Sequence, residues 1–513
     1  MRFPPLLLVL FFLSSLSPVF GQLAGASSSV DDSGIYLKVV QKSADALLNH
    51  GRDSYGPRHS GQILSLLNRK DGKPLGRLPE GPAGIRRDDR PVPYGSNANL
   101  QMELYRTLRH LTRLTGDPRY SEAADRGLED FLEITQHPET GFLAWGEHLC
   151  WNCLDEKPDS NTFHPDTKKQ QLIHEPKRKF IYFDELYQAH PVATLKYARG
   201  LWEHQIADPQ TGDFSRHAKY DGHDPRKGFD FPKEGSYFIC TWSEAYTKSR
   251  DPVFDRAIQV LATRYLKRTN PLGLLDNDST PMPERQNLCV TLWSISLAME
   301  CHDAIPRLDD ADTRVLLQQL AEKMDRGFLS LQHEVSDPQK GFICYAYTDT
   351  GKPRPREEKK SEGYSRCWEM GYGVNVTSMF GLLSHARQAQ LGATPEGDAY
   401  RRWVVEAARV YQTAPRHPEQ QDLWSGEYGM AIFLELSAFR LTREPAFLAT
   451  ARAMADEAIR TFWDKGSALP RASSRTDFYE VTAYPDTLIA ALLALHEHVN
   501  NLPPTVEISD LCR

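Results

Sequence analysis

The stretch LYRTLRHLTRLTGDPRYSEAADRGLEDFLEITQHPETGFLAWG, Leu104 to Gly146, decides the fold. Leu104, Leu108, Leu111 and Leu114 recur at three- and four-residue spacing, the apolar stripe of an amphipathic helix. A short turn containing Asp117-Pro118 follows, then a second striped helix and a loop that opens on Gly141. The unit recurs as YFICTWSEAYTKSRDPVFDRAIQVLATRYLKRTNPLGLL from Tyr237 to Leu275 and as YGMAIFLELSAFRLTREPAFLATARAMADEAIRTFWDKG from Tyr428 to Gly466. Looser copies occupy Leu292 to Tyr345 and Val374 to Ala414. A helix with one apolar stripe needs a neighbour, so each hairpin needs the next.

Taken in order, the pattern predicts helices near 33–49, 97–115, 118–136, 187–207, 235–249, 252–268, 285–303, 311–332, 368–390, 396–413, 427–442, 445–463 and 481–500. Consecutive hairpins in this number fit an all-α, closed (α/α) barrel, a toroid of inner and outer helices. An open solenoid would need polar capping repeats at both ends, and the apolar last helix, TLIAALLALHEHV, argues for closure. Polar loops at 50–96, 137–182, 208–234, 340–367 and 464–480 interrupt the helices. Most follow the second helix of a hairpin, so they should gather on one face, where a site is expected.

The first residues, MRFPPLLLVLFFLSSLSPVFG, read as an export signal over 1–21, with Arg2 ahead of an apolar run and small residues near Gly21. Residues 22–513 are then expected to form one catalytic domain, secreted or periplasmic, free of the membrane after cleavage and monomeric. A net charge of −7 with 25% charged residues gives no support for a nucleic-acid partner. Eight cysteines in 513 residues do not make a disulfide scaffold. Cys150 and Cys153 form a lone CxxC, readable as a disulfide or as two buried thiols. The Asn375-Val376-Thr377 sequon matters only in a host that glycosylates exported proteins.

The chemistry-bearing residues concentrate between Gly141 and Tyr220. His148, Glu175 and His217 lie in three separate segments, with Arg216 directly before the last. Two imidazoles and a carboxylate suit a divalent transition metal such as manganese, iron, cobalt, nickel or zinc better than calcium. His174 is an alternative to its neighbour Glu175. Lys177, Arg178 and Lys179 offer cations for uronate carboxylates, Trp145 and Trp151 offer rings for sugar faces or for the core, and Tyr220 offers a ring for a sugar face. Further along, Arg366 and Glu369 stand near the mouth of a later hairpin as substrate contacts, with DLWSGEYG and RASSRTDFYE placed similarly.

AWGEH, then HEPKRKFIYFDELYQAHPVATLKYARGLWEH, then FSRHAKY resembles the core of polysaccharide lyase family 2, secreted or periplasmic pectate lyases with an (α/α) barrel. The resemblance implies that His148, Glu175 and His217 hold the metal and that Arg216 is the catalytic base. It implies β-elimination on a uronic acid polymer or oligosaccharide. It covers roughly 80 to 100 residues; Glu147 stands where the family tends to have glycine, and the insert CLDEKPDSNTFHPDTKKQQ lengthens the first connection. Three other readings compete: a glycoside hydrolase drawing on Glu369, Asp422 and Glu427, a sugar epimerase using histidine pairs, and a non-catalytic carbohydrate-binding relative.

Overall fold

A computed structural model describes residues 34–280, 286–355, 363–369, 376–416, 422–464 and 466–506. The expected export signal and Asn375 of the sequon lie outside them. Among the described residues no helix is long and apolar enough to cross a membrane.

The hairpins form for a shared local reason. In the first, α2 (Met102–Thr115) ends on Gly116, whose φ of 76° is left-handed, and α3 (Arg119–Thr135) starts just after Pro118. Asp117 Oδ1 accepts from the Arg119 backbone N–H at 3.0 Å, holding the turn. After α4 (Phe183–Ala189) and α5 (Pro191–Gly200), α6 (Pro232–Ser249) ends on Arg250 at φ 54°, and Asp251 caps α7 (Pro252–Arg268) by accepting from Val253. Next come α8 (Thr291–Ala304), α9 (Ala311–Leu329), α10 (Thr377–Leu391) and α11 (Pro395–Thr413). Then α12 (Ser425–Thr442) ends on Arg443 at φ 63°, and Pro445 opens α13 (Pro445–Phe462). A left-handed residue, an acid and a proline thus make all three turns, although two use arginine where glycine would be relaxed.

Inner and outer helices differ as their composition requires. In α12 every residue from Ser425 to Ala438 is buried, and in α14 (Pro485–Val499) every residue from Pro485 to Glu497. Outer α13 buries only Phe447, Ala451, Met454, Ala455, Ala458 and Phe462, one stripe. The inner neighbours run α6–α8–α10–α12–α14–α2, and α14 also packs on α1 (Ile35–His50), so the first helix serves as the outer partner of the last. Five hairpins along the chain and this one between its ends close the (α/α) barrel; α4 and α5 fill the space between α3 and α6.

Three expectations are corrected locally. The helix foreseen over 187–207 is broken at His190, which precedes Pro191 and adopts φ −140°, ψ 78°, because a proline ring crowds the helical conformation of the residue before it. The helix foreseen from 285 starts at Thr291, since Leu288–Val290 pairs with Tyr345–Tyr347 as a strand. The helix foreseen from 97 starts at Met102, because Asn97 folds back and its side chain donates to Gly146 and Leu149 carbonyls.

Hairpin geometry sends every loop that follows an outer helix to the end where the inner helices begin. There the loops pair with each other. Leu66–Leu67 pairs with Tyr479–Glu480 across the seam between the chain's two ends. Arg90, nearly buried, places Nε and Nη2 on the fully buried Glu480 carboxylate at 2.9 and 2.6 Å. Removing one partner would leave a charge unpaired in the interior, at a cost of ~3 kcal/mol. Arg90→Met should therefore lower the urea midpoint of unfolding by a margin corresponding to ~3 kcal/mol, and Arg90→Met combined with Glu480→Met should recover much of it. An unchanged midpoint in the single variant would show that the seam does not depend on this pair.

Candidate active site

Three loop contacts assemble the cluster. Gly146 has φ 103°, and a Cβ there would lie 2.0 Å from the carbonyl oxygen of Glu175, so only glycine lets the two strands touch. Glu147 N–H donates to that same carbonyl at 2.8 Å, which sets His148 beside Glu175. Ile173–His174 pairs antiparallel with Ala218–Lys219, which brings Glu175 alongside His217. The Arg216 N–H donates to the carbonyl of Phe229 at 2.9 Å and fixes the base of that loop.

Glu175 is the centre, with no exposed surface. Its Oε2 lies 3.3 Å from His148 Nε2 and 2.9 Å from His217 Nε2, and its Oε1 accepts from Arg216 Nη1. The two imidazole rings stand 5.3 Å apart at 80°. The Arg216 guanidinium lies over Phe229 and Phe231, 5.1 and 4.8 Å from their centroids. Behind His148, Nδ1 is 3.2 Å from the Asp88 carbonyl and 3.6 Å from Asp89 Oδ1, a contact that orients the ring.

The electrostatics follow from burial and from who faces whom. Burial pulls the Glu175 carboxyl upward, but Arg216 and the two imidazoles hold it well below the usual carboxylate range. Burial opposes protonation of His148, yet Glu175, Glu147 and Asp89 raise it; His217 is lowered chiefly by burial. His174 is removed from the ligand set. It alternates to the opposite face of its strand, stacks on Phe142 at 4.2 Å, meets Gln205 Oε1 at 3.2 Å, and is pushed by burial down to about 3.

His148, Glu175 and His217 each offer one ligand atom, all within 4.8 Å of one another. Among the described residues neither Glu175 Oε2 nor His217 Nε2 makes a hydrogen bond of acceptable geometry, which leaves two buried polar atoms 2.9 Å apart. Such a donor set fits a divalent transition ion with further coordination positions open. Asp89, Glu147 and His148 form an adjoining group, but Arg86 lies 2.6 Å from Asp89 and Lys177 lies 3.0 Å from Glu147.

The remaining sequence candidates divide. Lys177 and Arg178 stand at the site's edge, the first on Glu147 and the second 3.5 Å from Glu103. Trp145 does not: it is 1% exposed, stacked on Phe131 and edge-on to Phe180 and Tyr197, so no sugar can reach it. Tyr220 is also a core residue, 4% exposed with its hydroxyl donating to the Thr135 carbonyl. Arg366 and Glu369 face each other at 3.4 Å ahead of α10. Cys150 and Cys153 are free buried thiols, with burial pushing Cys150 up to about 12.

Sequence reading missed Lys233 and Glu234, in the first turn of α6. Their side chains meet at 3.1 Å, Lys233 faces Glu147 and Glu175, and Glu234 is fully buried. The only local signal was Phe231-Pro232-Lys233-Glu234 ahead of a helix, and any surface helix can start that way.

Two acids of the hydrolase reading, Asp422 and Glu427, are buried. Asp422 accepts from Ala83, Ser473, Ser474 and Arg475. Glu427 is 1% exposed, accepts from Tyr411 Oη at 2.6 Å, and is pushed by burial up to about 7. Asp486, which accepts from Tyr479 Oη at 2.6 Å, is likewise raised by burial to about 7.

Fold and site together define an (α/α) barrel whose rim carries a centre of two histidines, one carboxylate and an arginine. Residues 85–246 match the family model described as periplasmic pectate lyase, a span that contains all four of these residues. Over 125 residues the chain is 28% identical to a pectate disaccharide-lyase of Dickeya dadantii (strain 3937), covering 24% of this chain and 22% of that relative. Among solved structures, an unsaturated glucuronyl hydrolase from Bacillus sp. GL1 aligns at 11% identity and a TM-score of 0.45 over 94% of this chain and 100% of that one. A cellobiose 2-epimerase from Bacillus thermoamylovorans aligns at 9% identity and a TM-score of 0.43, covering 90% and 99%.

Because the raised carboxyls of Glu427 and Asp486 keep their protons longer in the folded state than in the unfolded one, stability should fall as pH rises from about 4.5 to 7. Glu427→Gln and Asp486→Asn should flatten that fall, measured as the urea midpoint against pH. A slope unchanged in both would show that these groups ionise normally.

Proposed function

We propose that the chain is an exported, metal-assisted polysaccharide lyase that cleaves a uronic acid polymer such as pectate by β-elimination. The observation that carries the reading is the buried Glu175, shared by His148, His217 and Arg216, inside the span that matches the pectate lyase model.

His148, Glu175 and His217 would hold a divalent transition ion, which supplies Lewis-acid withdrawal of charge from the substrate carboxylate and so eases loss of the neighbouring proton. Arg216 takes that proton from the carbon next to the carboxylate. The bond from the adjacent carbon to the glycosidic oxygen breaks, a carbon–carbon double bond forms, and the departing oxygen takes a proton from water. As a base, Arg216 must enter the reaction as neutral guanidine. Glu175 and the faces of Phe229 and Phe231 favour its charged form. Its base role therefore depends on Glu175 being engaged elsewhere and on a second positive charge nearby, both of which disfavour the guanidinium. Lys177 and Arg178 bind substrate carboxylates at the edge of the site.

Incubation with polygalacturonate should produce ultraviolet absorbance from the unsaturated product, abolished by chelator and restored by a transition metal. Reducing ends without absorbance would indicate hydrolysis, and retained polymer binding with neither would indicate a binding protein. Arg216→Lys should lose on the order of a hundredfold or more in kcat with little change in KM, since only the proton-transfer step is touched; full activity would remove Arg216 as the base. Glu175→Gln and His217→Ala should abolish the rise in Tm that added metal gives the unaltered protein. An equal rise in both variants would put the metal elsewhere.

A further inference from the structure

We infer that the hairpin from Asn161 to Gln171 is a polymer-binding arm, on which Phe163, Lys168 and Lys169 hold sugar units beyond the reacting one; the inference rests on the lyase reading above. These residues belong to the insert that lengthens the connection between His148 and Glu175. The extra length covers no core, since every residue from Pro165 to Gln170 is exposed.

The arm is built and rooted at the site. Its strands pair through His164 N–H to the Lys169 carbonyl at 2.8 Å and Gln171 N–H to the Thr162 carbonyl at 2.9 Å. At the tip, His164 Nδ1 accepts from the backbone N–H groups of Asp166 and Thr167 at 3.2 and 3.3 Å. At the base, Asn161 Nδ2 donates to the Arg90 carbonyl at 2.9 Å, Gln170 Nε2 to the Ser160 carbonyl at 2.7 Å, and Thr162 Oγ1 to the Asp88 carbonyl at 3.4 Å. His148 Nδ1 meets that same Asp88 carbonyl at 3.2 Å, so a single oxygen separates the root of the arm from the cluster. Phe163 follows Thr162 directly, and the returning strand leads through Ile173–His174 into Glu175. A polymer whose reacting unit sits at the cluster has neighbouring units beside this arm.

Its side chains suit a polyuronate. Of the exposed large apolar side chains among the described residues, Phe163, at 49%, is the only aromatic one. The rings nearer the cluster do not serve, because Trp145 and Tyr220 are buried and Trp151 packs on the core. Lys157, Lys177 and Lys179 of the same connection each lie within 3.4 Å of a carboxylate. Lys168 and Lys169 are exposed and have no ion-pair partner among the described residues. With Asp166 as its one acid, the arm carries a surplus of positive charge. A lone apolar side chain on a surface is common; this one shares a rooted hairpin with two unpaired cations. The ring receives the C–H face of a sugar, and the ammonium groups attract its carboxylates. A neutral glycan would use the ring alone.

The test compares the unaltered enzyme with Phe163→Ser, with Lys168→Ala combined with Lys169→Ala, and with a shortened chain in which two glycines replace residues 163–170. Two residues can link Thr162 to Gln171 because the strands already pair there. Steady-state cleavage and calorimetric binding are measured with polygalacturonate and with trigalacturonate. Phe163→Ser should raise KM and Kd for the polymer about five- to tenfold with kcat within about twofold, and leave the values for the trimer unchanged. The double lysine variant should weaken polymer binding about threefold at low salt and lose most of its salt dependence. The shortened chain should show the largest polymer effect yet keep the rise in Tm that added metal gives, since no residue of the cluster is touched. If that chain does not fold, Phe163→Ser, a surface change, still decides. Equal polymer Kd in Phe163→Ser and the unaltered protein overturns the arm, and so does an equal loss on trimer and polymer, which would place the effect at the cluster. A mass by light scattering that halves in Phe163→Ser, with polymer binding unchanged, gives the ring to a second copy of the chain and also overturns it. The lyase reading fails separately: Phe163-dependent polymer binding without unsaturated product sinks that reading and keeps the arm.

Discussion

The burial of α14 is the constraint from which the rest follows. From Pro485 to Glu497 it has no exposed residue, so a helix with no polar face must be surrounded on every side. Helices α12, α1 and α2 pack most closely around it, and taking α1 and α2 as neighbours joins the end of the chain to its beginning. Once the ring is closed, every inner helix starts at the same rim, and the loops that enter them are forced into contact.

Those contacts explain why so many charges can be buried there. Glu480 is accompanied by Arg90 across the seam, and Glu175 by Arg216 and two imidazoles within the site. In each case a carboxylate without solvent is tolerated because its partners come from a different loop held against it by strand pairing. The difference between them is chemical. Arg90 and Glu480 fill each other's hydrogen-bonding positions, whereas the Glu175 cluster leaves Glu175 Oε2 and His217 Nε2 without good partners.

Much of the fold was legible because the hairpin is a local device. Stripes of leucine and a Gly/Arg–acid–Pro turn place α3, α7 and α13 to within a residue or two of where they lie. The errors lie where something other than the stripe intervened: the proline ring after His190, the pairing of Leu288–Val290 with the distant Tyr345–Tyr347, and the contacts of Asn97 with Gly146 and Leu149. In the site, His148, Glu175, Arg216 and His217 were legible as a motif. Trp145 and Tyr220 were misread because the sequence beside a histidine does not say which side of the loop faces the core. Lys233 and Glu234 gave no usable signal, since they stand at a helix start that looks ordinary until closure turns it toward the rim.

The sequence by itself determined the helical repeat and its tendency to close, and it singled out the four residues that the loops then gather, because stripe spacing, turn residues and motif residues are properties of short segments. Tertiary structure alone decided that Glu175 rather than His174 faces the centre, that Trp145 belongs to the core, and that Arg178 meets Tyr484. Those outcomes depend on strand register and ring closure, which bring together segments with no local means of specifying each other.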